Sequence, residues 1–596
     1  MSQRRHDAAA ARRTRDRTRS HAAPRIRPDR SAVARGLEVL EDRRLLTVFT
    51  GFSHVRHVAT RQGVYSLSLD GPGVLKTSPA GRGAFDVTLL GTSQSSKLTI
   101  GLVRPRFHTE VGLMSVRNLA VRTGQIGDIV ADVASLGGRL TPLTSSVNTL
   151  DFGALGRAAQ IDVAGSVASM RLGSIDLGPT GHVVIAGDVN GGAVDQALSS
   201  SSSSTAKVTP AMTVQTFRLD GGRFLIGRDS SAPIVVNGDM ALSHNGLFSV
   251  GRDQGALMTV HGSLVLDTGG VISVGRNLTS IKVDGDLLVN PTSSGIQVGG
   301  DLGVRDTGLT VGGFFRGQGS ASAIDLSVGL NLNGLTILGG APNQGGLRSA
   351  NISVGKNLND LNVQHGIFDS YITAGVSINN GYVGPDGVTA IQNSEIDATS
   401  SINNLTAGGD VVSGFPTGNT AGYPTRIIAG KARSTQAGAG PDQGLYVANG
   451  AINSLTINGA LVDAVLAASV APYGGDGSLP PPVPYGGTQR TSGTPPTTFS
   501  NYNAPGGLTD QGNGTAIKNY SIRSIVNGAL VPTAVWDTTT DPNLHDNVLA
   551  NGTITAIVTG GVTSTPHGDN NDFAGVFAVN TVGINGGSIP FSPTAS

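Results

Sequence analysis

The sequence predicts an all-β fold: a right-handed parallel β-helix, or β-solenoid, with irregular loop insertions and a disordered basic N-terminus. Three observations carry this expectation. First, a short apolar-x-apolar pattern followed by Gly recurs as Ile234-Val-Val-Asn-Gly238-Asp-Met, Ile272-Ser-Val-Gly275-Arg-Asn-Leu, Ile281-Lys-Val-Asp-Gly285-Asp-Leu and Ile352-Ser-Val-Gly355-Lys-Asn-Leu. Second, the glycines at 238, 251, 262, 275, 285 and 299 stand 13, 11, 13, 10 and 14 residues apart, so two steps average about 24, the length of one solenoid coil. Third, Gly supplies 86 of 596 residues while aromatics make up 4%, which excludes large globular cores built on Trp, Tyr and Phe.

Residues 1–36 read as a disordered Arg-rich leader without apolar periodicity. Through residue 44 the chain carries thirteen Arg against six acidic groups, a local charge of +7 in a chain whose net charge is +1. The remainder is therefore mildly acidic, about −6, which argues against nucleic-acid binding by the body. Read alone, the basic N-terminal segment is a solvated tail, with one amphipathic turn at 37–46 or a nucleic-acid-binding arm as the alternatives. The Arg pairs at 4–5, 12–13 and 43–44 precede no apolar segment of the kind secretory and twin-Arg signals require.

Next comes Leu37-Glu38-Val39-Leu40-Glu41-Asp42-Arg43-Arg44-Leu45-Leu46. This run resembles the LEPR-XLL N-terminal motif of large planctomycete proteins, which follows a long Arg-rich leader. Leu37, Glu38, Leu40, Glu41, Arg43, Arg44, Leu45 and Leu46 fall in pattern. Val39 stands where many relatives carry Pro, and Asp42-Arg43 replaces the central Pro-Arg. The resemblance covers ten to fifteen residues of the chain, and residues 37–50 are read as the motif. It implies export to the cell envelope or beyond, by a route it does not specify, and implies no enzymatic activity.

Residues 51–110 read as a β capping module, since Val64-Tyr-Ser-Leu-Ser-Leu69 and Phe85-Asp-Val-Thr-Leu-Leu90 alternate with strand period. Residues 111–470 are the solenoid repeats. Alternating apolar positions place Ile, Val and Leu on one face of short strands, and one coil cannot bury that face without its neighbours. Gly and Asn at the corners are expected to accept positive φ. Asn277, Asn331 and Asn357 follow Gly275, Gly329 and Gly355 in equivalent places, so these Gly and Asn residues are expected to form a stacked structural ladder. Residues 471–515, with Pro480-Pro-Pro-Val-Pro, read as a Pro/Gly-rich loop insertion, and 516–596 as the last rungs and a C-terminal cap.

The tests for chemistry return little. With no Cys there is no disulfide framework or thiol chemistry, and with four Glu there is little supply for a Glu-based acid/base pair. Asn-Thr-Asp, Asp-Asp and Gly-His-Gly, the motifs of pectin-degrading hydrolases, are absent, and the His residues are scattered singly. Asp284 and Asp286 flank Gly285 and would share a face as an acidic pair; two solvated corner carboxylates are the competing account. Asp239, Asp286, Asp301 and Asp410 also follow a Gly, and a row of them would take Ca²⁺. Lys and Arg in the same slot of other repeats argue against that, and no cofactor is expected.

The expectation is an exported structural or interaction protein, extracellular or at the cell surface, without catalysis. It would meet cell-envelope polysaccharide or other surface proteins through loops at 190–212 and 412–515. The alternative is a carbohydrate-active β-helix enzyme, a polysaccharide lyase or hydrolase, which rests on analogy of fold. Acidic and aromatic side chains in a row along an outer face would favour the enzyme, and a smooth Ser/Thr/Asn face the structural role. No run of about 18 apolar residues occurs, so no transmembrane helix is expected.

Overall fold

The computed structural model describes residues 53–105, 112–190, 212–290, 294–412 with three short breaks, 425–433, most of 444–471, and strands between 520 and 590. The leader, the motif at 37–46 and the loops at 191–211 and 472–519 lie outside the described residues. The described residues contain strands and turns and no helix, and no helix is long and apolar enough to cross a membrane.

The chain enters through an antiparallel module. Gly63–Asp70 alternates buried and half-buried positions, as its apolar period of two requires, and pairs with Val55–Ala59 on one side and Lys97–Pro105 on the other. Val74–Gly81 pairs antiparallel with Ala84–Thr92. The direction then changes. Ala84–Thr92 pairs in parallel with Met114–Gly124, and Lys97–Pro105 with Asp128–Leu136, so the module supplies the template on which the first parallel strands stack.

From there the chain winds as a parallel β-solenoid of about 11 turns. Each coil contributes one strand to each of three walls. Wall I begins at Val167–Leu172 and wall II at Ser174–Leu177; both pair with the long strand Val147–Leu155, which joins the two walls at their base. Wall III is a separate 12-stranded parallel sheet that begins at Gln160–Val163 and ends at Val465–Ala468. Along it Phe224, Phe248, Ile272 and Ile296 lie in register, one coil apart.

Those register partners point inward and stack into aliphatic columns. Near the base, Phe217, Phe224 and Phe248 pack inside the coil with ring centroids 5.7–5.9 Å apart. Further along, the column Val250, Val274, Val298, Val328 and Val354 gives way to Ala374, Ala398 and Ala429. Each fully buried Val, Leu, Ile or Phe stabilises the stack by roughly 1.5–3 kcal/mol.

The corner glycines work by a different mechanism from the expected one. Gly275 and Gly355 do not take positive φ. They are required by space: a Cβ on Gly275 would collide with the Gly251 carbonyl, and one on Gly355 with the Gly329 carbonyl. Gly227, Gly251, Gly275, Gly299, Gly329, Gly355 and Gly375 form one column in which each backbone rests on the one before. Positive φ gathers instead at the corner between walls II and III, at Gly221, His244, Asn245, Thr268, Gly269, Ser349, Asp369 and Asn393, with Gly366 and Gly430 taking it at the other two corners. There the bend is sharp, and glycine or polar residues that tolerate the left-handed region accept it.

Candidate functional site

The Gly and Asn residues singled out from the sequence meet along the edge where wall III turns into wall I. A corner leaves backbone N–H groups outside the strand ladders, and buried or half-buried donors need acceptors. Side chains supply them from coil to coil. The N–H of Ser166 donates to Ser146 Oγ at 3.0 Å, that of Asp188 to Ser166 Oγ at 3.0 Å, and that of Asp229 to Asp188 Oδ1 at 3.0 Å. Asp253, Asn277, Asp301, Asn331 and Asn357 continue the series, each N–H donating to the preceding side-chain oxygen at 2.9–3.3 Å. Asn277, Asn331 and Asn357 therefore share one column, with Asp253 and Asp301 interleaved as equal members. Gly275 and Gly355 stand two residues before Asn277 and Asn357, in the close-packed glycine column beside it.

Adjacent carboxylates in this column have cations beside them. Arg252 Nη2 lies 2.5 Å from Asp229 Oδ2, and Arg276 pairs with Asp253 one coil further on. The Gly-x slot of one coil thus neutralises the acid of the coil before.

The acids proposed as a Ca²⁺ row divide between two edges. Asp301 is in the column just described, whereas Asp239, Asp286 and Asp410 lie where wall I turns into wall II. There Asp239 accepts the Ser263 N–H at 2.8 Å, Asp286 the Phe314 N–H at 3.1 Å, and Asp410 the Ala460 N–H at 2.7 Å. The pair Asp284 and Asp286 is also engaged separately. Asp284 faces Lys282 Nζ at 2.8 Å and His261 Nδ1 at 2.7 Å; the Lys282 bond first, then His261, holds its carboxyl below the usual range. His182 and His244 likewise each face one carboxylate, Asp162 at 3.2 Å and Asp220 at 2.6 Å. Among the described residues no three His, Asp or Glu side chains come together as a metal-holding group.

A second ladder was not singled out from the sequence. On wall I the Asn359 amide donates to Asn333 Oδ1 at 2.6 Å, Asn379 to Asn359 at 2.7 Å, Asn403 to Asn379 at 3.1 Å and Asn453 to Asn403 at 2.6 Å. Its signal is a polar or small residue, then Leu or Ile, then Asn, read at Asn331-Leu-Asn333, Asn357-Leu-Asn359, Ser377-Ile-Asn379, Ser401-Ile-Asn403 and Ala451-Ile-Asn453.

Two further features concern charge on outward-facing positions. Burial of Asp151, only 8% exposed, pushes its carboxyl up to about 6; nearby Asp132 adds to the rise, and Arg171 on the next coil opposes it. On wall III, Glu395 and Arg426 are register partners whose side chains are 4% and 6% exposed, with Arg426 Nη1 3.4 Å from Glu395 Oε2. The chain leaves wall III just after Arg426–Ala429, through Gly430 at φ 90°, and Lys431–Arg433 pairs antiparallel with Gly444–Tyr446.

A scan against protein-family models, a search of curated proteins and a search of solved structures each find no match to this chain. The chemistry must therefore be read from the residues themselves. Their arrangement spends side-chain oxygens on backbone N–H groups and carboxylates on Arg, Lys or His neighbours, which fixes each coil against the next.

Proposed function

We propose that the protein is an exported structural or interaction element of the cell surface or extracellular matrix, acting as a β-solenoid without catalysis. The observation that carries this reading is a run on one outward column of wall III: Ser249, Ser273, Gln297, Ser327, Ser353 and Thr373 stand in register on six successive coils, uncharged and free of aromatic rings, before the column reaches Asp397. A run of hydroxyl and amide groups suits contact with a hydrated matrix, and the ladders that clamp the coils suit a load-bearing or spacing role. The resemblance of residues 37–46 to the LEPR-XLL motif supports export and the surface location.

One observation favours the alternative of a carbohydrate-active enzyme. Asp151 holds its proton to higher pH than an ordinary carboxyl, as a general acid would.

Surface protease shaving and fractionation of a C-terminally tagged chain, compared with a deletion of residues 1–46, tests the reading. The tag is expected outside the cell only with the leader present. A tag that stays inside in both cases overturns export, and release of reducing ends from polysaccharide that Asp151→Asn abolishes would favour the enzyme.

A further inference from the structure

Wall II carries an arrangement that the fold alone does not explain. Arg316 and Arg348 are direct register partners on neighbouring coils and both point outward, since Phe315 and Leu347 beside them are buried. Like charges directly opposite in a sheet destabilise it, and parallel neighbours stand only about 4.8 Å apart. Asp369 lies 3.7 Å from Arg348, and both side chains remain more than 40% exposed. Arg316 has no ion-pair partner among the described residues. The same outward column continues with Leu288 on one side and Phe368 then Gln392 on the other. Five successive coils thus present an apolar side chain, two guanidiniums, an aromatic ring and an amide.

We propose that Arg316 and Arg348 bind an anionic group of an extended acidic polysaccharide lying along the coil axis of wall II. The paired guanidiniums match a carboxylate or sulfate in charge and fork geometry. Phe368 offers its ring to the C–H face of a neighbouring sugar, Gln392 meets a hydroxyl, and the carboxylate of Asp369 limits the positive charge to about one anion. A densely charged polymer such as nucleic acid is disfavoured by a body with net negative charge. This inference rests on the surface reading above and names the partner class for it.

The test uses the purified full chain and measures affinity for alginate, dextran sulfate and neutral dextran over a salt series. Alginate and dextran sulfate distinguish a carboxylate from a sulfate ligand. At least one is expected to bind and to weaken with salt, neutral dextran is not, and the double variant R316Q/R348Q is expected to lose about tenfold or more in affinity. Arg223→Gln on wall III serves as the control and should bind as the parent does. Because the variant removes a like-charge contact, its melting temperature should stay level or rise, so lost binding cannot be ascribed to unfolding. Equal binding by the double variant, equal binding of neutral dextran, or no binding to either acidic polymer overturns the proposal. A chain found outside the cell that fails these assays would overturn the ligand and leave the location standing.

Discussion

The side-chain amide of Asn277 donates to Asp253 Oδ1 at 3.0 Å, and the Asn277 backbone N–H donates to the same oxygen at 3.1 Å. One carboxylate oxygen thereby serves two donors of the next coil, while Asn277 Oδ1 passes the arrangement on by accepting the Asp301 N–H at 2.9 Å. An amide is suited to this place because it donates and accepts at once.

Asn277→Asp is the sharpest test of that column. It removes the donor to Asp253 and joins the carboxylates of Asp188, Asp229 and Asp253 to that of Asp301, an unbroken run on five successive coils. The Gly-x slot that holds Arg252 and Arg276 elsewhere holds Gly300 on the coil after Asn277, so no cation is at hand. Chemical denaturation should show a loss of about 1–3 kcal/mol at neutral pH. Repulsion raises the new carboxyl's pKa in the fold, so the loss should shrink as pH falls and that group takes up a proton. An unchanged midpoint would mean the column contributes nothing.

The close-packed glycines give a prediction with an internal control. Gly275→Ala drives a methyl into the Gly251 carbonyl and forces neighbouring coils apart, whereas a methyl at Gly101 in the N-terminal module meets nothing within 4 Å. Gly275→Ala should cost about 2 kcal/mol or more, in the range of overpacking. Gly101→Ala should be neutral or stabilising by a few tenths of a kcal/mol, because it restricts the unfolded chain. Equal effects at both positions would show that the glycine column is not held by contact.

The walls were legible in the sequence because a buried strand leaves two independent marks, apolar alternation and a corner residue recurring at coil length. Asn277, Asn331 and Asn357 could be aligned on that basis. Asp253 and Asp301 were harder to place with them, since the column selects an acceptor oxygen and Asp and Asn both present one. Why a glycine is needed was also hidden: composition cannot separate a Gly chosen for positive φ, such as Gly269, from one chosen for a neighbour's carbonyl, such as Gly275. The wall I ladder escaped notice because its members stand 26, 20, 24 and 50 residues apart. The pairing of Arg316 with Arg348 escaped for the same reason, since extra chain between them shifts the spacing.

Asp151 yields a pH dependence whose sign follows from its burial. Its folded pKa, about 6, lies above the ordinary value of 3.8, so between those values the folded state binds more protons than the unfolded one. Stability should then fall as pH rises through that window and level off above it, by at most about 1–3 kcal/mol. Asp151→Asn should remove this component and be more stable than the parent at pH 7, with little difference at pH 4. A stability difference that does not change with pH would place the proton elsewhere.

The pair of Glu395 and Arg426 separates two accounts of a buried charge on wall III. If the ion pair is worth more than the desolvation of its members, replacing both by apolar residues should cost stability; if not, the double replacement should be neutral or stabilising. Arg426→Met alone leaves Glu395 buried at 4% exposure beside an apolar side chain and should cost about 3–5 kcal/mol. Adding Glu395→Leu should recover most of that loss, because the buried carboxylate goes too. A double-mutant cycle by urea denaturation measures the coupling directly. Strong coupling with a neutral double variant would mean that the pair fixes the pairing of Glu395–Ala398 with Arg426–Ala429 and adds little net stability. Additive losses would mean that each side chain is held by other neighbours, and that the two charges are adjacent without depending on one another.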